Sequence, residues 1–145
     1  NDSWKPHATS STSLKLLPST SGDSRKKLEI PKDVQQEIWA RVQILIQEEK
    51  VYLDTGITLY ALAKMASTNS KYLRFIIKER AGKSFSSYIN SYRVEEAKRK
   101  LLSEDSTLYT MDSIGEMSGF KSKSAFYQTF KEFTGNTPKQ YQDKR

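Results

Sequence analysis

Residues 69–82 read N-S-K-Y-L-R-F-I-I-K-E-R-A-G, and residues 122–135 read S-K-S-A-F-Y-Q-T-F-K-E-F-T-G. Laid over each other, the two stretches form one pattern. Asn69 and Ser122 open them with the short oxygen-bearing side chains that cap helix N-termini. Gly82 and Gly135 close them with the residue that ends a helix in a left-handed conformation. Between the caps Leu73 falls on Phe126, Ile77 on Phe130 and Lys78 on Lys131; past the glycines Ser84 falls on Thr137 and Tyr88 on Tyr141. Each stretch follows a shorter helical one, T-L-Y-A-L-A-K-M-A at 58–66 and M-D-S-I-G-E-M-S at 111–118, the latter ending at Gly119-Phe120. Self-similarity at this scale is the signature of a repeated supersecondary unit. A short helix, a tight turn and a capped longer helix predict a helix-turn-helix, and the pattern occurs twice.

The faces of the longer helices separate by chemistry. In the first, Leu73, Ile76 and Ile77 form an apolar stripe, while Ser70, Lys71, Arg74, Phe75 and Lys78 share the outward face. In the second, Phe126, Phe130 and Phe133 recur at helical spacing and are expected in the core, while Lys123, Ser124, Tyr127, Gln128 and Lys131 lie outward. Neither outward set holds an acidic residue. Lys and Arg reach phosphates and guanine edges, and Gln pairs bidentately with adenine, so the two faces suit double-stranded DNA read in its major groove.

Working outward, Val34, Ile38, Val42, Leu45 and Ile46 predict a helix over about 33–49, with Trp39 beside its apolar stripe and a turn at Leu53-Asp54-Thr55-Gly56. Phe85, Tyr88, Ile89, Tyr92, Ala97 and Leu101 give the apolar side of a long connecting helix over about 84–102, on which Glu95–Arg99 and Glu96–Lys100 are spaced as favourable pairs. Residues 103–110 are expected as a surface loop, and Thr137-Pro138 as the capped start of a last short helix. No stretch alternates as a strand does, so the expected class is all-α. Residues 1–31 are rich in Ser, Thr and Pro and are expected to be a flexible linker, with Arg25, Lys26 and Lys27 as a candidate basic arm. The chain opens with Asn, as expected of a piece of a longer protein.

Composition narrows the function. A formal net charge of +7 favours a polyanionic partner. With no cysteine and His7 as the single histidine, thiolate zinc, disulfides and a triad base are excluded. No phosphate-binding loop or nucleophile–base set is present, so the chain is expected to be neither an enzyme nor a holder of metal, cofactor or small molecule. No apolar run is long enough for a membrane span and no signal peptide is visible.

The stretches N-S-K-Y-L, then G-K-S-F-S-S-Y-I-N-S-Y-R-V-E-E-A-K-R-K-L-L, then I-G-E-M-S-G-F-K-S-K-S-A-F-Y-Q-T-F-K-E-F-T-G-N-T-P-K-Q-Y resemble the C-terminal DNA-binding domain of AraC/XylS-type transcription regulators, over roughly residues 33–143. The resemblance implies about seven helices forming two helix-turn-helix units joined by the long helix. It places the domain at 32–145, with the first unit at about 58–82, the linker helix at about 84–102 and the second unit at about 111–135. It further implies sequence-specific binding to promoter DNA in bacterial cytoplasm, contact with RNA polymerase as an activator would make, and the ten outward residues above as the readers. A sensor or dimerisation region, which in some members is membrane-anchored, would lie upstream and leave this domain a monomer. Three positions depart from the pattern: Phe75 stands where Arg is frequent, Ile77 where Phe is frequent, which leaves its core role intact, and Gly115 where Ala is frequent. The competing expectations are a helical module that docks on the transcription machinery without touching DNA, and an architectural DNA binder without sequence preference.

Overall fold

A computed structural model describes residues 28–144. Among these residues the chain is all-α, as expected. Helices α1 (Lys32–Gln47), α2 (Leu59–Met65), α3 (Ser70–Ala81), α4 (Phe85–Leu102), α5 (Met111–Met117), α6 (Lys123–Thr134) and α7 (Pro138–Asp143) follow in order, with 3₁₀ turns at Val51–Leu53 and Glu104–Leu108. They divide into two compact units. One holds α1, α2 and α3. The other holds the Val51–Leu53 turn, α4 beyond its first residue, α5, α6 and α7. The stretch 1–27, with His7 and the basic run at Arg25, Lys26 and Lys27, lies outside the described residues.

In the first unit α1 buries Val34, Ile38, Val42, Leu45 and Ile46, and α3 buries Leu73, Ile76 and Ile77, all at 3% exposure or less. Ordered packing starts before α1. Ile30, inside the stretch expected as linker, is buried, and its carbonyl accepts from Gln35 Nε2 at 2.8 Å. In the second unit α4 does more than connect. Its Val94, Ala97 and Leu101 pack with Ile114, Phe120, Phe126 and Phe130 into one core, into which Tyr127 and Tyr141 partly enter.

The capping chemistry is local and follows the sequence. Asn69 Oδ1 accepts from Tyr72 N at 2.8 Å, and Ser122 Oγ accepts from Ala125 N at 3.1 Å. Thr58 and Thr110 cap the two short helices in the same way. Gly82 and Gly135 end α3 and α6 at φ 70 and 82. Thr137 and Gln140 form a reciprocal capping box on α7, which carries Pro138 in its first turn.

Two expectations are corrected, at Phe133 and at the Glu95–Arg99 pair, and two are refined. Phe133 is 40% exposed rather than core, because the last turn of α6 projects past the buried cluster. Residues 103–110 lie at the surface, as expected, but Ser103 caps a 3₁₀ turn within them in which Ser106 is buried. Leu53, expected in a turn with Asp54, ends the first 3₁₀ turn instead, and Asp54 Oδ1 accepts from Gly56 N at 2.9 Å. On α4, Arg99 pairs with Glu96, and Glu95 pairs with Lys98 at 2.9 Å. Glu96 is the inward carboxylate of the two and gains more from donors than the solvated Glu95, so it gathers Arg99 as well as Lys100 at 3.1 Å.

The two turns repeat bond for bond. In the first, Ala66 N donates to Leu62 O, Ser67 N to Lys64 O and Thr68 N to Ala63 O; in the second, Ser118 N donates to Ile114 O, Gly119 N to Glu116 O and Phe120 N to Gly115 O. The left-handed residue is Ser67 in one and Gly119 in the other, at φ 60 and 101. The second turn then spends one residue more, Lys121, before its cap, so the register that aligns α3 with α6 shifts by one across the turns. An arginine from a long helix braces each unit near this point. Arg41 Nε donates to Ala66 O at 2.8 Å; Arg93 donates through Nε to Tyr52 O at 2.7 Å and through Nη2 to Asp54 O at 2.9 Å.

The glycines of the second turn are under different constraints. A β-carbon on Gly119 would lie 2.3 Å from Tyr52 O and 2.8 Å from Arg93 Nε, at a φ that side chains rarely adopt. On Gly115 it would lie 2.6 Å from Phe126 Cδ2, in a ring that is fully buried and has no room to yield. On Gly135 it would meet nothing within 4 Å. Thermal unfolding should therefore rank the alanine variants. G119A should lose about 2–4 kcal/mol from strain and collision together. G115A should lose about 1–2, the collision exceeding the roughly 1 kcal/mol gain in helix propensity. G135A should lose about 1 kcal/mol from its positive φ alone. A G115A variant more stable than the parent would contradict this packing.

Burial opposes ionisation of Glu96, but hydrogen bonds from Arg99 and Lys100 and their charges outweigh it and hold the carboxyl below the ordinary glutamate value of 4.5. Its stabilisation is therefore complete above that value and fades as pH falls through the lower folded value. The unfolding midpoint of E96Q should lie below the parent's at neutral pH and converge on it in acid. A constant gap down to strong acid would remove Glu96 as the source.

Candidate nucleic-acid interface

Helix α3 takes its orientation from its buried side, so the opposite side is fixed by packing rather than by anything it might touch. Lys71, Arg74 and Lys78 are exposed there, with Ser70 and Phe75 half-buried at its edges. Among the described residues Lys71, Arg74 and Lys78 have neither an ion pair nor a hydrogen-bond partner. Their charge is left for an external anion. Phe75 is shielded enough to pack and open enough to offer an apolar edge, a combination that suits a methyl group in a groove.

Helix α6 is less uniform. Lys123, Ser124, Gln128 and Lys131 are exposed, and Tyr127 is half-buried. The Tyr127 ring stands edge-on to Phe126 at 5.7 Å between centroids, and Lys123 Nζ lies over it at 5.6 Å. Lys123 Nζ also lies 3.8 Å from Asp112 Oδ1 of α5. Gln128 Nε2 points to Glu132 Oε2 at 3.5 Å, the limit of a hydrogen bond. Lys131 has no partner among the described residues. The structure thus brings Ser70, Lys71, Arg74, Phe75 and Lys78 together on one helix face of the first unit. It brings Lys123, Ser124, Tyr127, Gln128 and Lys131 together on one face of the second.

Sequence reasoning missed the neighbours that tune these faces. Asp112 and Glu132 restrain Lys123 and Gln128, and Arg41 and Arg93 brace the two units. The W-A-R-V of α1 and the S-Y-R-V of α4 carried a signal for the arginines, since each places Arg directly before a buried Val. No signal marked Asp112, because its proximity to Lys123 exists only once the turn has closed. Among the described residues no group of acidic or histidine side chains is arranged to hold a metal, and no helix is long and apolar enough to cross a membrane.

Comparison with known proteins places this arrangement. The model of the helix-turn-helix domain family of AraC/XylS type matches residues 62–144. A helix-turn-helix transcriptional regulator of Staphylococcus aureus is 31% identical over 96 residues, which are 66% of this chain and 12% of the relative. Another, from Bacillus subtilis, is 33% identical over 92 residues, 63% of this chain and 37% of the relative. The chain therefore spans a minor part of the length of these relatives. Among solved structures, the C-terminal domain of AraT, a response regulator from Geobacillus stearothermophilus, superposes with a TM-score of 0.65 at 28% identity, covering 75% of this chain and 85% of that one. The DNA-binding domain of the transcriptional factor AdpA, solved with a target DNA, has the same fold at a TM-score of 0.64 and 22% identity, covering 72% of this chain and 89% of that one. With its duplicated capped helices and a family match over more than half its length, the chain belongs to the AraC/XylS-type helix-turn-helix family, the DNA-binding domains of transcription regulators.

Proposed function

We propose that α3 and α6 enter successive major grooves on one face of promoter DNA and share the reading between them. The observation that carries this is the pair of matched, capped helices whose outward faces hold Lys71, Arg74, Lys78 and Lys131 without internal partners. The AdpA domain, with the same fold, was solved bound to its target DNA, which supports the duplex as ligand. Arg74 and Gln128 sit mid-helix and have the geometry for base edges, guanine and adenine respectively. Ser70, Lys71, Lys123 and Ser124 lie in the first turns, where short polar and cationic groups reach bases or backbone. Phe75 meets a thymine methyl, and Tyr127 lines the groove wall while it packs on Phe126. Lys78 and Lys131, a turn further on, meet phosphates. One chain then spans two half-sites about 10 base pairs apart and needs no second copy. RNA polymerase contact, activation, a cytoplasmic setting and a sensor or dimerisation region elsewhere in the protein complete the reading.

A duplex selected by this chain from a random pool supplies the probe. R74A and Q128A should each cost about 1–3 kcal/mol on it and relax preference at one or two positions. K78A and K131A should weaken binding to all sequences alike and lower the salt slope by about one unit each. Inserting about five base pairs between the half-sites should abolish two-site binding. Unchanged affinity after the insertion overturns the two-groove reading. Equal affinity for random and selected duplexes would indicate an architectural binder, and no binding at low salt a protein-docking module. Sedimentation of the free domain should give a monomer.

A further inference from the structure

The two short helices occupy matched places but carry opposite chemistry. The shared turn bonds align Ala63 with Gly115, and therefore Tyr60 with Asp112 and Lys64 with Glu116. All four side chains are exposed, Tyr60 at 64%. Within α2, Lys64 Nζ lies 5.7 Å from the centroid of the Tyr60 ring. The position of this face relative to the reading helix is measured in the second unit. Asp112 Oδ1 comes within 3.8 Å of Lys123 Nζ, on the first residue of α6. The corresponding residue of α3 is Ser70, and by the repeat Tyr60 takes the place that Asp112 holds beside the first turn of α6.

Resting on the groove reading above, we infer that Tyr60 and Lys64 form a phosphate grip on the DNA backbone flanking the groove that α3 enters. When a helix-turn-helix docks, its first helix crosses the backbone. A lysine steadied over an aromatic ring there presents a fixed cation to a phosphate oxygen, and the ring covers the adjoining sugar. A large exposed aromatic beside a cation, which nothing in the core requires, is thereby explained. The second unit makes no such grip. Asp112 and Glu116 would repel a phosphate at the matched place, and Asp112 instead restrains Lys123. The first unit therefore anchors through α2 as well as α3, and the second reads through α6 alone.

The test uses the full chain on its selected duplex and on a random one, with K64Q and Y60L compared with the parent across a salt series. Both residues are solvent-exposed, so the variants should fold as the parent does, with unchanged unfolding midpoints. K64Q should bind both duplexes more weakly at low salt and reduce the slope of log affinity against log salt by about one unit, so that a fourfold rise in salt costs it about three- to fourfold less affinity than it costs the parent. The order of preferred bases should not change. Y60L should lose affinity but keep the slope, because the lysine charge remains. If R74A and Q128A alter binding while K64Q leaves affinity and slope untouched, the grip is wrong and the groove reading stands. A parent chain that binds neither duplex overturns both.

Discussion

The turn between the short and the long helix of each unit sets what the reading helices can present. Its amides return to the last turn of the short helix, on Leu62, Ala63 and Lys64 in one unit and on Ile114, Gly115 and Glu116 in the other. That closure requires a left-handed residue at its middle. It also requires a small one where the helices cross, since Gly115 leaves no room for even a methyl group against Phe126. Once the crossing is fixed, the buried sides of α3 and α6 are committed, and the polar sides follow as a geometric remainder. Arg41 and Arg93 then hold nearby backbone carbonyls that no helix satisfies, which ties the crossing to the long helix of the same unit.

Charge is distributed to match. The two carboxylates of α4, Glu95 and Glu96, are engaged by Lys98, Arg99 and Lys100 of the same helix, so these five side chains together contribute a single net positive charge. Of the net charge of +7, residues 28–144 carry +3, as 18 lysines and arginines against 15 carboxylates, and among those cations the fold leaves Lys71, Arg74, Lys78 and Lys131 without partners. A basic protein whose cations are paired internally would have the same composition and a weaker claim on DNA. The separation of paired from unpaired cations makes the charge informative here.

Features governed by neighbours along the chain were legible in the sequence. Asn69, Ser122, Gly82 and Gly135 act within one helical turn of where they stand, and the caps and the repeat followed directly. Leu73, Ile77, Phe126 and Phe130 were legible as core because helical spacing alone puts them on one side. Features decided by a third element were not. Phe133 has the right spacing and the wrong end of the helix. Arg99 chose Glu96 over Glu95 because one carboxylate faces the core, and the spacing of both pairs looked equally good. Asp112 meets Lys123 only through the closed turn, and the extra residue Lys121 hides the correspondence that would have exposed the contrast with Tyr60.

The most direct measurement is chemical protection at guanine N7, in the major groove, and at adenine N3, in the minor groove, on the duplex this chain selects, with the bound complex compared against free DNA. The account predicts two protected patches about 10 base pairs apart on one face of the helix, the minor groove between them remaining accessible. A single patch, two patches on opposite faces, or protection confined to the minor groove would contradict it.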